Sequence, residues 1–577
     1  ISIADDTMYR DTSVEDEKAD EAWISAKYLF ETYLAAGQQY ESYQPQYLKT
    51  ATTAANVTWE DVGFKKIDDY TIDFILEKPV AEPAFYVPYS LAGNFLVEKS
   101  LYEACKTFYK DGAAVATEEE ADTVKTDYCR SLDKSVSYGP YKLTSFELDK
   151  EYTLSRNENW YGYRDGKHLG QYQMDNLVVS VIAEHATAVL AFEKGEIDGV
   201  SLDASDMKKY ASSQYISYTP QSYTTKLSFN TNYEKLVEHG TNSQLLAVDE
   251  FRKAFAFALD ANAFATAYTA AGTAGYGLIN YMYCYDPFTG ALYRDSEAAK
   301  KALVETFDMT YGEGQDYETL DEAYEAMTGY DMEKAQALMA TAADKAIEAG
   351  IWDGEADIVL DIRMYSNDTT YVQMFNYFQA QLTEAAKGTK FEGKLSMSMT
   401  VDTDYYNTMT SGGADMIFTT WGGATMDPFG VFARCYCDAA DGSGNQNEYG
   451  FDTSKINLTF DLGDKGELTD TLQHWAMWAN NAGEKDVPVI FDALGAFADY
   501  AYSTRCEIAA GVEAAILHWF PTTSLYYRNV ASLTSQKVNN ASDTYLTLVG
   551  FGGLEYITFN YDDAAWAEYI ANNTLVY

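Results

Sequence analysis

Hydrophobic and polar positions are most regularly arranged between residues 357 and 428, where strand, helix and strand patterns follow one another. DIVLDIRMYSND (357–368) alternates apolar with polar residues, the period of two that a half-buried strand shows. VQMFNYFQAQLTEAA (372–386) instead brings Met374, Phe375, Phe378, Gln381 and Leu382 together at helical spacing. KLSMSMTV alternates again, a polar stretch follows, and ADMIFTTWGGATMDPF (414–429) carries a buried strand from Met416 to Thr420. That strand empties into Trp421, Gly422 and Gly423 and closes on Asp427 and Pro428. An indole face beside backbone that no side chain shields suits ligand capture.

Other segments are read in the same way. WEDVGFKKIDDYTIDFILEKPV (59–80) predicts a hairpin turning at Asp68 and Asp69, with Tyr70, Ile72, Phe74 and Leu76 on one face. AWISAKYLFETYLAAG (22–37) and LTDTLQHWAMWANNAG (468–483) predict helices, and GAAVATEEEADTVKTD (112–127) reads as an exposed acidic loop. In FRKAFAFALDANAF (251–264), Phe251, Phe255 and Leu259 join Ala254 and Ala258 in one apolar helix face. GTAGYG (272–277) has the wrong spacing for a dinucleotide fingerprint and reads as a turn. No internal repeat is visible, and no apolar run approaches the roughly 20 residues of a membrane helix.

At 577 residues the chain exceeds one compact core and predicts two or three domains. Acidic residues outnumber basic ones 88 to 41, for a net charge of -47. Binding of nucleic acid needs Lys and Arg to displace phosphate counterions, so that class is set aside. The acids are spread along the chain, as on a solvated surface. The 49 Tyr and 9 Trp supply many flat faces, on which sugars and peptide side chains both stack.

Six cysteines are too sparse for a disulfide scaffold. Cys105 and Cys129 are the pair considered for a bridge, while Cys435 and Cys437 lack the further ligands a zinc site requires. Signs of catalysis are thin. The five histidines are scattered without a His-x-x-x-His pair, and neither a Gly-x-Ser-x-Gly elbow nor a Walker loop is present. DGSGNQNE (441–448) departs from the calcium-loop pattern and reads as a surface loop. No metal and no cofactor is expected.

Further stretches stand in order along the chain: VSYGPYKLTSFELDKEYTLSRNENWYG (136–162), AVLAFEKGEIDGV (188–200), KLSFNTN (226–232), FRKAFAFALDANAF (251–264) and YDMEKAQALMATA (330–342). Together with the 357–428 pattern they resemble the extracytoplasmic solute-binding proteins of peptide-type ABC importers, the oligopeptide- and dipeptide-binding family. The resemblance implies an α/β, two-lobed periplasmic-binding-protein-like fold (type II, cluster C), with an extra outer subdomain and a hinge of two crossing segments. It divides the chain into an outer subdomain of the proximal lobe (1–135, with more of that lobe expected upstream), the proximal α/β lobe (136–245), the distal α/β lobe (246–515) and a return to the proximal lobe (516–577).

On the same resemblance, Trp421, Gly422 and Gly423 stack on and hydrogen-bond an extended ligand, with Asp427 beside them. Trp519 offers a second aromatic contact, and Asn230 either offers an amide to the ligand or only bonds backbone. Arg252 and Asp260 are expected to cap or pair near the lobe junction. Peptide-binding members commonly carry Asp three residues after this Trp, for the peptide's α-amine; here Ala424 stands there. A buried ammonium without a partner is costly, so a free amino terminus is disfavoured unless Asp427 or Asp415 substitutes.

The implied function is non-enzymatic: the substrate-binding component of an ABC importer, capturing an oligopeptide and delivering it to a membrane permease. The implied setting is extracytoplasmic, as a monomeric, lipid-anchored protein on a bacterial cell surface. An oligosaccharide receptor on the same fold is the alternative, and an extracellular glycan or peptide hydrolase is the rival from another class.

Overall fold

The computed structural model describes residues 63–76, 96–239, 243–286, 289–422, 453–479, 500–540 and 552–577, together with three short strands, Met8–Arg10, Trp23–Ser25 and Gln46–Leu48. Its centre is a seven-stranded mixed sheet. The strands are β1 (Gly199–Ser201), β2 (Ile216–Phe229), β3 (Thr273–Ala274), β4 (Ile358–Met364), β5 (Leu395–Val401), β6 (Met416–Trp421) and β7 (Thr522–Thr534). They lie in the order β1-β7-β2-β6-β4-β5, with β3 added to β7. Only β4 pairs in parallel, with β5 on one side and β6 on the other.

The five helices that matter most to this sheet are α1 (Asp249–Ala258), α2 (Ala261–Tyr268), α3 (Met332–Glu348), α4 (Thr369–Ala386) and α5 (Tyr502–His518). Along β4 the alternation read from the sequence holds: Ile358, Leu360, Ile362 and Met364 are buried, and the residues between them are not. The buried set meets Met374, Phe378 and Leu382 of α4 and the alanine-rich face of α3 in the first core. β4, α4 and β5 thus form a parallel crossover unit, the connection that a buried helix face and two alternating strands demand. A second core, around Trp475, Leu303, Ile508, Val512 and Ile516, contains the buried face of α5.

β2 and β7 are long and antiparallel, and they change neighbours along their length. Ile216 to Pro220 pair with Leu533 to Asn529, and this end of β7 also carries β1. After an irregularity between Pro220 and Thr224, residues 224–229 pair with β6. The change of partner falls inside β2, between Pro220 and Thr224. A proline lacks the N–H that a ladder requires, and the strand is broken beside it. Residues 249–258 instead form α1, whose Arg252 is buried and ties three backbone carbonyls together: Leu246 (2.6 Å), Trp519 (2.9 Å) and Phe520 (3.2 Å). Phe520 has left-handed backbone (φ 45°), strained for a non-glycine residue. Asp260 caps α2 by accepting from the Ala263 N–H, so both residues play the capping and pairing parts expected of them.

Several local expectations are corrected. Trp23–Ser25 is a strand paired with Met8–Arg10, so strand pairing overrides the helical spacing there; residues 26–37 lie outside the described residues. The supposed acidic loop is flanked by strands, Ala113–Val115 and Thr123–Thr126, which join a four-stranded sheet and leave only its middle as a turn. Glu467–Thr471 is the second strand of a hairpin, and the helix begins at Leu472. Cys105, Cys129, Cys284 and Cys506 are free thiols, so the considered bridge is not formed. The 59–80 hairpin does turn at Asp68, whose carboxylate accepts from the Tyr70 N–H, and its pairs run from Phe64–Phe74 to Lys66–Ile72. Among the described residues no helix is long and apolar enough to cross a membrane.

Candidate functional site

The site is built where β6 runs out. Trp421 stands opposite Thr224 of β2, which in turn stands opposite Tyr527 of β7. Side chains of cross-strand partners share a face, so the indole, the threonine and the Tyr527 phenol form one row. Trp421 is half-buried and packs on the edge of the second core. Its Nε1–H is buried and has no hydrogen-bond partner among the described residues. A buried donor left unsatisfied costs about 1–3 kcal/mol, so the indole favours any ligand that brings it an acceptor.

Gly422 follows, and the ring of Tyr223 lies over it: a β-carbon at 422 would stand 2.6 Å from Tyr223 Cδ1. Tyr223 sits in the break of β2 and is 42% exposed. Its carbonyl accepts from Asn280 Nδ2 at 2.8 Å. The Tyr281 hydroxyl donates to Asn529 Oδ1 at 2.7 Å, and burial raises its pKa above the usual tyrosine range, keeping it a neutral donor.

A buried ion pair fixes the loop that carries Asn280. Arg294 and Glu513 are 3% and 0% exposed, and Arg294 Nη1 donates to Glu513 Oε2 at 2.8 Å. The remaining lone pairs of Glu513 accept from the Leu278 and Ile279 N–H groups (2.7 and 3.1 Å) and the Tyr293 hydroxyl (2.8 Å). Gly277 is required here, because any β-carbon would overlap the Arg294 guanidinium. Ser524 of β7 donates to the Gly277 carbonyl at 2.7 Å, which binds the loop to the long strands.

The other expected site residues fall in different places. Trp519 caps the end of α5, is half-buried and packs on the same second core as Trp421. Its carbonyl, held by Arg252, fixes the backbone from which the indole projects. Asn230 lies at the far end of the β2–β6 ladder, six residues from the Thr224–Trp421 pair, roughly 20 Å along a strand. Its carboxamide donates to the Ala414 carbonyl at 3.0 Å and accepts from the Asn232 N–H at 3.0 Å. That geometry favours the backbone-bonding role over a ligand contact. Gly423 and Asp427 lie outside the described residues, as do Ala424 and the 441–448 loop.

Sequence reasoning missed Tyr223, Asn280, Arg294 and Glu513. The glycines at 272–277 were the one available signal, and they say nothing about which of 88 acids meets Arg294. Nor is every histidine isolated in space: His185 Nε2 is 2.6 Å from Asp206 and 3.4 Å from Asp203 at the surface, a grouping that ordinary ion pairing satisfies.

The profile described as "Bacterial extracellular solute-binding proteins, family 5 Middle" matches residues 25–443, more than half of the chain. The chain belongs to this family. Solved structures agree on the two-lobed, mixed helix and sheet fold of family 5 proteins. A pheromone receptor, PrgZ, whose description refers to its mode of peptide binding, superposes with a TM-score of 0.55 at 14% identity, covering 87% of this chain and 76% of that one. The peptide-bound OppA of Listeria monocytogenes gives 0.55 at 14% identity over 87% and 76% of the two chains. The substrate-binding domain of an oligopeptide ABC transporter from Bacillus anthracis gives 0.54 at 14% identity over 86% and 75%. At such identity the likeness to these family 5 structures establishes the fold. No curated protein matches the chain.

Proposed function

We propose that this family 5 protein captures an extended solute, an oligopeptide before all others, at the Trp421–Gly422 end of β6 and delivers it to an ABC permease. The observation that carries the reading is the buried Nε1–H of Trp421, without a hydrogen-bond partner among the described residues, beside a glycine backbone overlain by the partly exposed phenol of Tyr223. A peptide carbonyl supplies the acceptor, its side chains stack on the indole, and its backbone adds to the strand end as in strand augmentation. The two long strands β2 and β7 serve as the crossing segments between lobes, and contacts from both sides are what make ligand favour the closed state. Family membership supports an extracytoplasmic importer subunit; the lipid anchor and the monomeric state belong to the proposal.

The exposed phenol of Tyr223 beside the indole also suits a sugar face, so an oligosaccharide is the second reading. Native mass spectrometry of protein purified without denaturation separates them. A retained mass that fragments as a peptide supports the proposal, and one that fragments into hexose units supports the second reading. Sustained turnover of peptides or glycans by the purified protein would contradict both.

A further inference from the structure

β4 is the switch point of the central sheet. Both of its neighbours, β5 and β6, run parallel to it. The chain leaves β4 through α4, whose Met374, Phe378 and Leu382 enter the first core, and returns as β5. It leaves β5 through a short helix, Tyr405–Thr410, and enters β6 on the other side of β4. Tyr405 packs on Ile417, which alternates with Met416 and Phe418 of the first core and so faces the opposite way. The two crossovers part over the carboxyl end of β4, the place where open α/β sheets hold their ligands.

Two aromatic side chains stand at that end on one face. Arg363 pairs with Ile417, so Tyr365, directly after β4, is level with Thr419, and Trp421 lies two residues further. Even spacing keeps these positions on one side of the sheet. With strands about 4.8 Å apart and two residues rising about 6.6 Å, Tyr365 and Trp421 are roughly 8 Å apart. An extended peptide repeats its same-face side chains at nearly that interval.

Tyr365 is 54% exposed, and its ring meets the half-buried ring of Tyr405 edge to face, with centroids 6.2 Å apart. A ring braced on one side and open on the other offers contact area at small entropic cost. Next to it on the same face, Arg363 pairs with Asp361 (2.8 Å), whose other oxygen accepts from the Ser398 and Thr400 hydroxyls (2.9 and 2.8 Å). Those charges are compensated within the sheet, so the surface beside the phenol suits a neutral aromatic group.

We infer that Tyr365, braced by Tyr405, is a second aromatic subsite, selecting peptides that carry an aromatic side chain two residues from the one on the Trp421 indole. The inference rests on the peptide reading of the Trp421 site.

Three pentapeptide pools with identical termini serve as probes in calorimetry: one with a single aromatic residue, one with two aromatics separated by one residue, and one with two adjacent aromatics. The unaltered protein is expected to bind the separated pool about three- to tenfold more tightly than the adjacent pool, the worth of one aromatic contact. Y365A should abolish that difference and leave affinity for the single-aromatic pool unchanged, while Y365F should keep it. Y365L retains apolar bulk without a ring, should also lose the difference, and serves if Y365A does not fold. Equal affinity of the unaltered protein for the separated and adjacent pools would overturn the inference. So would an undiminished difference in Y365A, or an equal loss for all three pools, which would make Tyr365 structural. If no pool binds the unaltered protein, the peptide reading fails and this inference with it, an outcome distinct from binding without a spacing preference.

Discussion

The Tyr223 ring crosses Gly422 so closely that a β-carbon on residue 422 would stand 2.6 Å from the ring edge. Tyr223 is partly exposed, so in G422A the phenol is displaced toward solvent rather than into the core. The variant is expected to weaken peptide-pool binding about three- to tenfold in calorimetry, with a thermal midpoint within about 2 °C of the unaltered protein. Unchanged affinity would show that the glycine backbone and its phenol do not line the site.

Glu513 and Arg294 hold the loop behind Tyr223, and removing one partner leaves a charge buried without its counterpart. Burial alone would lower the pKa of Arg294, and the Glu513 carboxylate overcomes this and raises it. Breaking such a pair costs about 3–5 kcal/mol. E513Q should therefore unfold at markedly lower urea concentration than the unaltered protein, and G277A should do the same, since its β-carbon overlaps the guanidinium. A midpoint unmoved in E513Q would mean that the pair contributes nothing.

Alkaline pH tests three half-buried tyrosines. Burial pushes the Tyr276, Tyr324 and Tyr377 hydroxyls from the model-compound value of 10.0 up to about 12. The folded state holds these protons more tightly than the unfolded chain, so their contribution is fully present below pH 10 and is lost as pH rises toward about 12. Circular dichroism should show unfolding in that window, accompanied by a step in tyrosinate absorbance. Full tyrosinate formation by about pH 10.5 with the fold intact would contradict the burial of these rings.

Legibility in the sequence followed the physics of each element. The β4–α4–β5 unit could be read because its two periods, two and 3.6, match burial on one face each, and Ile358 to Met364 alternate as expected. The end of β6 at Trp421 was visible for the same reason. The long strand β2 was only half visible: KLSFNTN announced its end, but Ile216 to Thr225, interrupted at Pro220, shows no clean alternation because its burial is set by partners 300 residues away in β7. Trp23–Ser25 followed its strand partner against local helical spacing. Tyr223 and the Arg294–Glu513 pair were illegible, since their contacts depend on which segments the folded chain brings alongside them.

The central claim is that solute engages the indole of residue 421. Calorimetric titration of W421F and W421A with the peptide pools tests it most directly. W421F keeps a ring but loses the Nε1–H donor, and should weaken binding about three- to tenfold, the worth of one hydrogen bond. W421A loses both and should weaken it at least about tenfold further. Affinities for both variants equal to that of the unaltered protein would contradict the account.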